Sequence, residues 1–362
     1  MKAADQLLSQ QGLRTPFLRV ARDGNTLPAS RFTTHGGVGA GMADQASDVR
    51  LTALFAEGST IVLQGLHRTH GPIIGFAQAL GAELGHPVQV NAYLTPPQSQ
   101  GFSTHYDVHD VFILQIAGAK RWRIHAPVHP APLRDQPWTD HRAEVAAAAA
   151  GEPLIDDVLR PGDALYLPRG YLHSATALGQ MTAHLTVGVH VWTRRHLLER
   201  LLAACSDIEE LRTTLPLGVD VTSAASLRDE LAATASALAS SLEVIDADRV
   251  AGLMAPEAFA ASKAEPVGPM AQAAAAAQVS LGDKVRWRAA LQASVTRDGD
   301  EFVIRSTDGV VRIPGYAARS VQQLQHGAVI SVADLDADVS GSDASRLELA
   351  RTLLRTCLTV LA

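Results

Sequence analysis

The residues with the clearest chemical potential lie in Gly101-Phe-Ser-Thr-His-Tyr-Asp-Val-His-Asp110. His105 and Asp107 are two positions apart, and on a β-strand residues i and i+2 project from the same face. An imidazole and a carboxylate placed in this way can converge on one metal ion. Two histidines and one carboxylate are the ligand set of non-heme Fe(II) oxygenases, which leaves positions open for a cosubstrate and for oxygen. A candidate third ligand is His173, which follows Asp163-Ala-Leu-Tyr-Leu-Pro-Arg-Gly170, an apolar strand ending in a turn. An isolated His-x-Asp pair recurs by chance, and a loop histidine that caps a backbone group is the plain alternative for His105. The ordered set is more specific than its parts. His105, Asp107, Gly118-Ala-Lys120-Arg-Trp122 and Pro168-x-Gly170-x-x-His173 each stand beside a predicted strand.

These residues need a scaffold, and the pattern from about 16 to 192 supplies one. Short apolar runs broken by Gly and Pro predict strands over 61–63, 88–94, 110–116, 121–125, 163–167 and 184–192. In the last of these, Leu185, Val187, Val189 and Val191 share one face. Many short strands at close spacing indicate a sandwich or barrel. A short helix is expected over 76–84. Residues 127–153, rich in Pro and then Ala, are expected to form an insertion between strands.

The pattern changes near Thr193. Apolar residues at helical spacing predict helices over 194–211, 224–242 and 246–261, the last kinked or split by Pro256. Glu265-Pro-Val-Gly-Pro269 is a linker signal. Beyond it, 284–291 and 301–313 alternate like strands around the turns Arg297-Asp-Gly-Asp300 and Thr307-Asp-Gly309. Ser345-Arg-Leu-Glu348 reads as a capping box opening a helix through Leu361. Three domains are therefore expected, at 1–193, 194–268 and 269–362.

Composition narrows the function classes. The 362 residues are 47% apolar with a formal net charge of -6, which argues against a chain built to coat nucleic acid or an anionic membrane. No apolar run approaches the roughly 18 residues of a membrane span, and the first residues lack a signal-peptide stretch, so a cytoplasmic location is expected. Cys205 and Cys357 are the only cysteines, too few for a disulfide scaffold or a Cys-rich zinc site. Every histidine except His326 lies at or before position 196, so imidazole chemistry belongs to the first half.

Several of these words together resemble a known family. They are Asn91-Ala-Tyr-Leu-Thr-Pro-Pro, Gly101-Phe-x-x-His105-Tyr-Asp107, Asp110-Val-Phe-Ile-Leu-Gln-Ile-Ala-Gly-Ala-Lys120-Arg-Trp, Asp163-Ala-Leu-Tyr-Leu-Pro-Arg-Gly and His184-Leu-Thr186. Over about 14–195 the chain is similar to the JmjC-domain 2-oxoglutarate oxygenases of the cupin-4, or ribosomal oxygenase, type. The resemblance implies a mainly β catalytic domain, a double-stranded β-helix of the cupin/JmjC kind. By layout alone it also implies an α-helical dimerisation region at 194–268 and a small α+β, winged-helix-like domain at 269–362. It places Fe(II) on His105, Asp107 and His173, and sets Lys120 against the distal carboxylate of 2-oxoglutarate. Tyr93 and Thr186 stand where relatives touch the cosubstrate through hydroxyls. Asn91 shares the face of Tyr93 by strand parity and is a candidate for the cosubstrate or substrate side.

The activity implied is hydroxylation of an Arg or His type side chain in a ribosomal protein or another protein or peptide, releasing succinate and carbon dioxide, by a homodimer. Plain alternatives stand beside each role: a solvated turn lysine for Lys120, and strand packing for Tyr93 and Thr186. Other functions consistent with the triad are oxidation of a peptide natural product or small molecule, 2-oxoglutarate-independent metal chemistry, and non-catalytic binding. Residues 283–312 mix Lys and Arg with Asp and Glu and form no basic stripe, so nucleic acid is not an expected partner.

Overall fold

Period-two alternation over 110–125 and 172–189 builds the two longest strands of the protein. The computed structural model describes residues Met1–Ala362, which form two compact units, Met1–Val191 and Trp192–Ala362. In the first unit, helix α1 (Lys2–Gln10) precedes strands β1 (Leu18–Arg22) and β2 (Asn25–Thr26). Strands β3 (Thr33–Thr34) and β4 (Gln45–Ala46) pair separately, before α2 (Asp48–Ala56). Then follow β5 (Thr60–Leu63), α3 (Leu66–Thr69), α4 (Gly71–Leu84), β6 (Val88–Thr95) and β7 (Asp110–His125). The unit closes with α5 (Arg142–Ala149), β8 (Ile155–Leu159), β9 (Ala164–Leu167) and β10 (Leu172–Val189).

The main sheet has the order β2-β1-β5-β6-β10-β7-β8, with β9 also on β7. Every pairing in it is antiparallel. Strand β7 is shared: residues 111–114 pair with β9 and residues 120–124 with β8. One face of the sheet carries Val90, Ala92, Leu94 and Val187, which pack with Leu51 and Leu54 of α2 and Ala77 of α4. Full burial of such side chains contributes on the order of 1.5–3 kcal/mol each.

The sequence pattern divides 110–125 into two strands with a turn at Gly118. The structure joins them, and the reason is a paired irregularity. Gly118 takes φ +65, and a Cβ there would lie 2.5 Å from the Met181 carbonyl oxygen. Opposite it, the register of β10 jumps between Leu178 and Ala183. A strict period of two would turn Lys120 away from Val111 and Ile113. The slip restores it, so Val111, Ile113, Lys120 and Trp122 all reach the same interior space. The same jump lets His173 and His184 of β10 share that space despite their opposite parity.

In the second unit, α6 (Arg194–Ala204) gives way to 3-10 turns at Cys205–Asp207 and Glu210–Arg212 in place of a helix to Leu211. Helix α7 (Ala224–Leu242) follows, then α8 (Ala247–Ala261), which runs through Pro256 as one helix. Part of the linker signal starts α9 (Pro269–Gln278), because Pro269 suits the first helical turn. Strands β11 (Lys284–Trp287), β12 (Ala293–Asp298), β13 (Glu301–Ser306) and β14 (Gly309–Pro314) come next, then α10 (Ala318–Gln325) and β15 (Val329–Ser331). The last helix, α11 (Asp343–Arg355), starts two residues before Ser345, capped by Ser342, and stops short of Leu361. Cys357 adopts φ 54, and the chain turns into β16 (Thr359–Leu361), which pairs with β11. Two three-stranded sheets, β15-β11-β16 and β12-β13-β14, enclose Val285, Trp287, Ile304, Ile313, Val321 and Leu353. No helix is long and apolar enough to cross a membrane.

Candidate active site

His105 and His173 face each other across an antiparallel bridge between the residues leading into β7 and the start of β10. The His173 N–H donates to the His105 carbonyl at 2.8 Å, and the His105 N–H to the His173 carbonyl at 3.3 Å. The ring centroids are 4.5 Å apart. Asp107 Oδ2 lies 3.7 Å from His173 Nε2, and the Asp107 carbonyl is fixed by the Gly170 N–H at 3.0 Å. One ligand atom from each of His105, Asp107 and His173 lies within 4.8 Å of the others, a group able to hold a metal ion.

The protonation of this group suits a divalent metal. Nδ1 of His105 lies 2.7 Å from the Ser103 carbonyl, and Nδ1 of His173 lies 3.1 Å from the Tyr171 carbonyl. A carbonyl can only accept, so each Nδ1 carries the hydrogen and each Nε2 lone pair is left for the metal. Burial pushes the His173 imidazole down to about 4, and neighbouring His105 acts in the same direction. Burial raises the Asp107 carboxyl, but His173, His105, His109 and Arg19 outweigh it and hold the group below its ordinary value. Neutral imidazoles and an ionised carboxylate are the forms that bind metal.

Lys120 opens onto the same cavity. It is 3% exposed, and its Nζ donates to Thr95 Oγ1 at 2.9 Å and meets His184 Nδ1 at 3.3 Å. No carboxylate pairs with it, and burial draws the ammonium down to about 7. Burial also holds His184 well below the usual imidazole value, with Lys120 and His173 adding to the effect. His184 therefore faces Lys120 as a neutral ring. Tyr93 stacks on that ring at 4.8 Å between centroids, and Trp122 meets it edge-on at 5.4 Å.

The cavity has a volume of about 360 Å³ and is lined by His105, Asp107, His173, Lys120, Tyr93 and Thr186. Asn91 does not line it. Its Oδ1 accepts from the Gly65 N–H at 3.0 Å, ahead of α3. Strand parity put it on the face of Tyr93, but one step further along the strand the space is filled by the Gly65 turn. Arg19, Thr95 and Trp138 are among the lining residues that the sequence pattern did not single out. Thr95 follows Tyr93 by two positions, a usable signal. Arg19 sits on β1, a strand that is not among those expected from the sequence. Trp138 comes from residues 127–153, so that excursion supplies a wall of the cavity, 6.3 Å from the His105 ring. His109 stacks on His190 at 4.9 Å and His129 on His141 at 4.8 Å, outside the metal group.

Residues 76–197 match the family model of the JmjC domain. The bifunctional lysine-specific demethylase and histidyl-hydroxylase NO66 of Drosophila persimilis is 39% identical over 139 residues, covering 36% of this chain and 19% of that protein. Ribosomal oxygenase 1 of Rattus norvegicus is 39% identical over 119 residues, 32% of this chain and 19% of that protein. The match thus spans about a fifth of the length of these relatives. Among solved structures, the ribosomal oxygenase YcfD of Escherichia coli superposes with a TM-score of 0.51 at 16% identity, covering 100% of this chain and 90% of that one. At that identity the likeness is one of fold.

Proposed function

We propose that the protein is an Fe(II)- and 2-oxoglutarate-dependent hydroxylase that acts on a side chain of a protein or peptide, with ribosomal proteins as the first candidates. One observation carries the reading: a buried lysine without a carboxylate partner shares a cavity with a two-histidine, one-carboxylate group. An ammonium held at 3% exposure is costly unless an anion joins it. A dicarboxylate cosubstrate brings that anion.

His105, Asp107 and His173 would hold the iron and leave the remaining positions open. When bound, iron and 2-oxoglutarate supply the oxidising power: one atom of dioxygen enters a substrate C–H bond, the other enters succinate, and carbon dioxide leaves. The protein's own part is binding and orientation. Lys120 clamps the far carboxylate, and Thr95 and His184 aim its Nζ. Tyr93 and Thr186 offer hydroxyls from neighbouring strands, while Asn91 acts from behind by fixing Gly65. Phe102 and Trp138 narrow the mouth and exclude bulk water. The names of the relatives, histidyl-hydroxylase and ribosomal oxygenase, support a protein side chain as substrate.

Residues 194–268 serve as the dimerisation region in this reading. Leu197, Leu198 and Leu202 of α6 are 47–49% exposed, and Leu231 of α7 is 69% exposed, more apolar surface than a solvated helix needs. Residues 269–362, with a strand hairpin beside packed helices, take the winged-helix-like role, and the protein works in the cytoplasm. The deciding experiment combines iron, 2-oxoglutarate and a cell lysate. Succinate release together with a mass gain of one oxygen atom on a specific peptide supports the proposal. Metal-dependent turnover without succinate removes 2-oxoglutarate from it.

A further inference from the structure

Resting on the metal group of the hydroxylase reading above, we propose that residues 127–149 brace that group, with Tyr106 as the positioning residue that ties them to it. The insertion grips the segments that carry His105, Asp107 and His173 on the side away from the cavity. It holds the ligands at metal-binding distance through contacts that do not involve the metal.

Side chains alternate along an extended segment. His105 and Asp107 line the cavity, whereas Tyr106 and Val108 turn away from it. In the same way His173 lines the cavity and its neighbour Leu172 does not. Tyr106 is nevertheless 1% exposed and Leu172 fully buried. What covers them is the insertion: Tyr106, Val108 and Leu172 pack with its Val128, Trp138, Val145 and Ala148 in a cluster separate from the main core. Every member of this cluster either adjoins a metal-group residue in the chain or belongs to the insertion. Trp138 reaches past its edge to line the cavity as well.

Polar contacts fix the register of this packing. The Tyr106 hydroxyl donates to the Gln136 carbonyl at 3.0 Å. Gln136 is itself held, since its Oε1 accepts from the Leu133 N–H at 2.8 Å and meets His129 Nε2 at 3.1 Å. A further contact falls on the turn ahead of His173. Gly170 takes φ +91, and a Cβ there would lie 2.8 Å from the His129 carbonyl oxygen and 2.9 Å from Pro132 Cδ. Its N–H donates to the Asp107 carbonyl at 3.0 Å, so Gly170 is wedged between a metal-group residue and the insertion. Ligands that keep conformational freedom lose it on binding, and affinity falls by that cost. Packing behind the ligands removes the freedom during folding instead.

The test titrates Co(II) into the metal-free full-length protein. Visible absorption reports both affinity and ligand geometry, and urea midpoints without metal are measured beside it. Tyr106→Leu removes the ring and the hydroxyl, so it should weaken Co(II) binding by about tenfold or more and shift the absorption bands. Tyr106→Phe keeps the ring and loses only the bond to Gln136, so it should bind about threefold more weakly than the wild type. Gly170→Ala should also cost about tenfold. Gly162→Ala is its control: φ is +99 there too, but a Cβ would meet nothing within 4 Å, so Co(II) affinity should not change. Leu51→Ala, in the main core, should lower the urea midpoint and leave Co(II) affinity and bands as they are. A Tyr106 that only packs would behave like Leu51, and that result overturns the proposal. So does an equal loss in Gly162→Ala and Gly170→Ala. If Tyr106→Leu does not fold, unchanged affinity in both Tyr106→Phe and Gly170→Ala overturns it. A wild type that binds no Co(II) sinks the metal group and the hydroxylase reading with it, whereas tight wild-type binding with indifferent variants sinks the brace alone.

Discussion

Buried cations are treated in opposite ways in the two units. In the second, Arg288 is 8% exposed and meets Asp308 at 2.7 Å, the Glu265 carbonyl at 2.7 Å and the Cys357 carbonyl at 3.3 Å. Arg286 holds both oxygens of Glu265 at 2.8 Å. In the first unit Lys120 is buried more deeply and meets only a hydroxyl and an imidazole. Its chain neighbour sharpens the contrast: Arg121, on the outer face, grips Asp156 with bonds of 2.5 and 2.7 Å. The outward neighbour thus has a carboxylate, and the buried lysine has none. A paired buried cation completes a fold. An unpaired one costs stability and marks a place where a ligand brings the countercharge.

The largest expected effect lies in the metal group. Asp107→Ala removes the only anionic member of the proposed metal group, so iron binding and succinate formation should both fall to background, read by metal analysis and by turnover. Full activity in that variant would break the ligand assignment. The contrast between cations predicts opposite signs for two matched substitutions. Arg288→Met should destabilise the protein by about 3 kcal/mol in urea unfolding, since it strips charged hydrogen bonds from a buried position. Lys120→Met replaces an unpaired buried charge by an apolar chain, so unfolding free energy without ligand should stay level or rise by about 1–4 kcal/mol. The same variant should need about 100-fold more 2-oxoglutarate, as loss of one partner of a buried charge pair costs several kcal/mol. Equal destabilisation by both would remove the distinction.

The pH dependence follows from the same lysine. Its folded value is about 7, against an ordinary 10.5. Below about 7 the amine is protonated in folded and unfolded chains alike, and the cost of burying the charge is fully present. Between about 7 and 10.5 the unfolded chain binds the proton and the folded chain does not, so stability rises with pH, by at most about 1.4 kcal/mol per unit. Urea midpoints at pH 7, 8 and 9 should climb in the wild type and flatten in Lys120→Met. In the proposed role of Lys120, binding of 2-oxoglutarate needs the ammonium, so at saturating metal its affinity should fall by up to about tenfold per unit above pH 7. Calorimetry at the same three pH values checks this. A cosubstrate affinity that does not change with pH would separate Lys120 from the cosubstrate.

The site was more legible in the sequence than the path of the chain that builds it. His105, Asp107 and Lys120 announce themselves by local spacing and by the words around them, and His173 by the turn before it. The β7 and β10 irregularities did not, because a slip at Gly118 depends on what Met181 and Thr182 do on the opposite strand. Reading 110–116 and 121–125 as separate strands was the local consequence. Asn91 shows the limit of parity: it gives the face of a strand but not how far a turn such as Gly65 has filled it. Arg19 and Trp138 are brought to the cavity by long-range pairing, of β1 with β5 and of residues 127–153 with the mouth, and no spacing in the sequence encodes that. In the second unit, the helix expected to reach Leu361 stops at Arg355 because β11 offers an edge that 359–361 can pair with.

The smallest expected effect tests how tightly the metal group depends on structure behind it. Gly24 forms the turn between β1 and β2 at φ +82, and its N–H donates to the Gly101 carbonyl at 3.2 Å. A Cβ at Gly24 would overlap Ser103 Oγ and lie 3.2 Å from Ser103 Cβ. The Ser103 carbonyl is the acceptor 2.7 Å from Nδ1 of His105. Gly24→Ala must therefore push the segment that orients one metal ligand, without touching the ligand itself. Partners in this position typically change metal affinity by about 10–100-fold, and the lower end applies because a displaced carbonyl can follow its imidazole. Metal titration of the folded variant should show a loss of about tenfold. Combining it with Ser103→Gly clears the space while keeping the carbonyl, so the double variant should recover most of the affinity. Recovery locates the effect in the Ser103 contact. A loss that persists locates it in the strained turn, and the hairpin of β1 and β2 then shapes the cavity by its backbone alone.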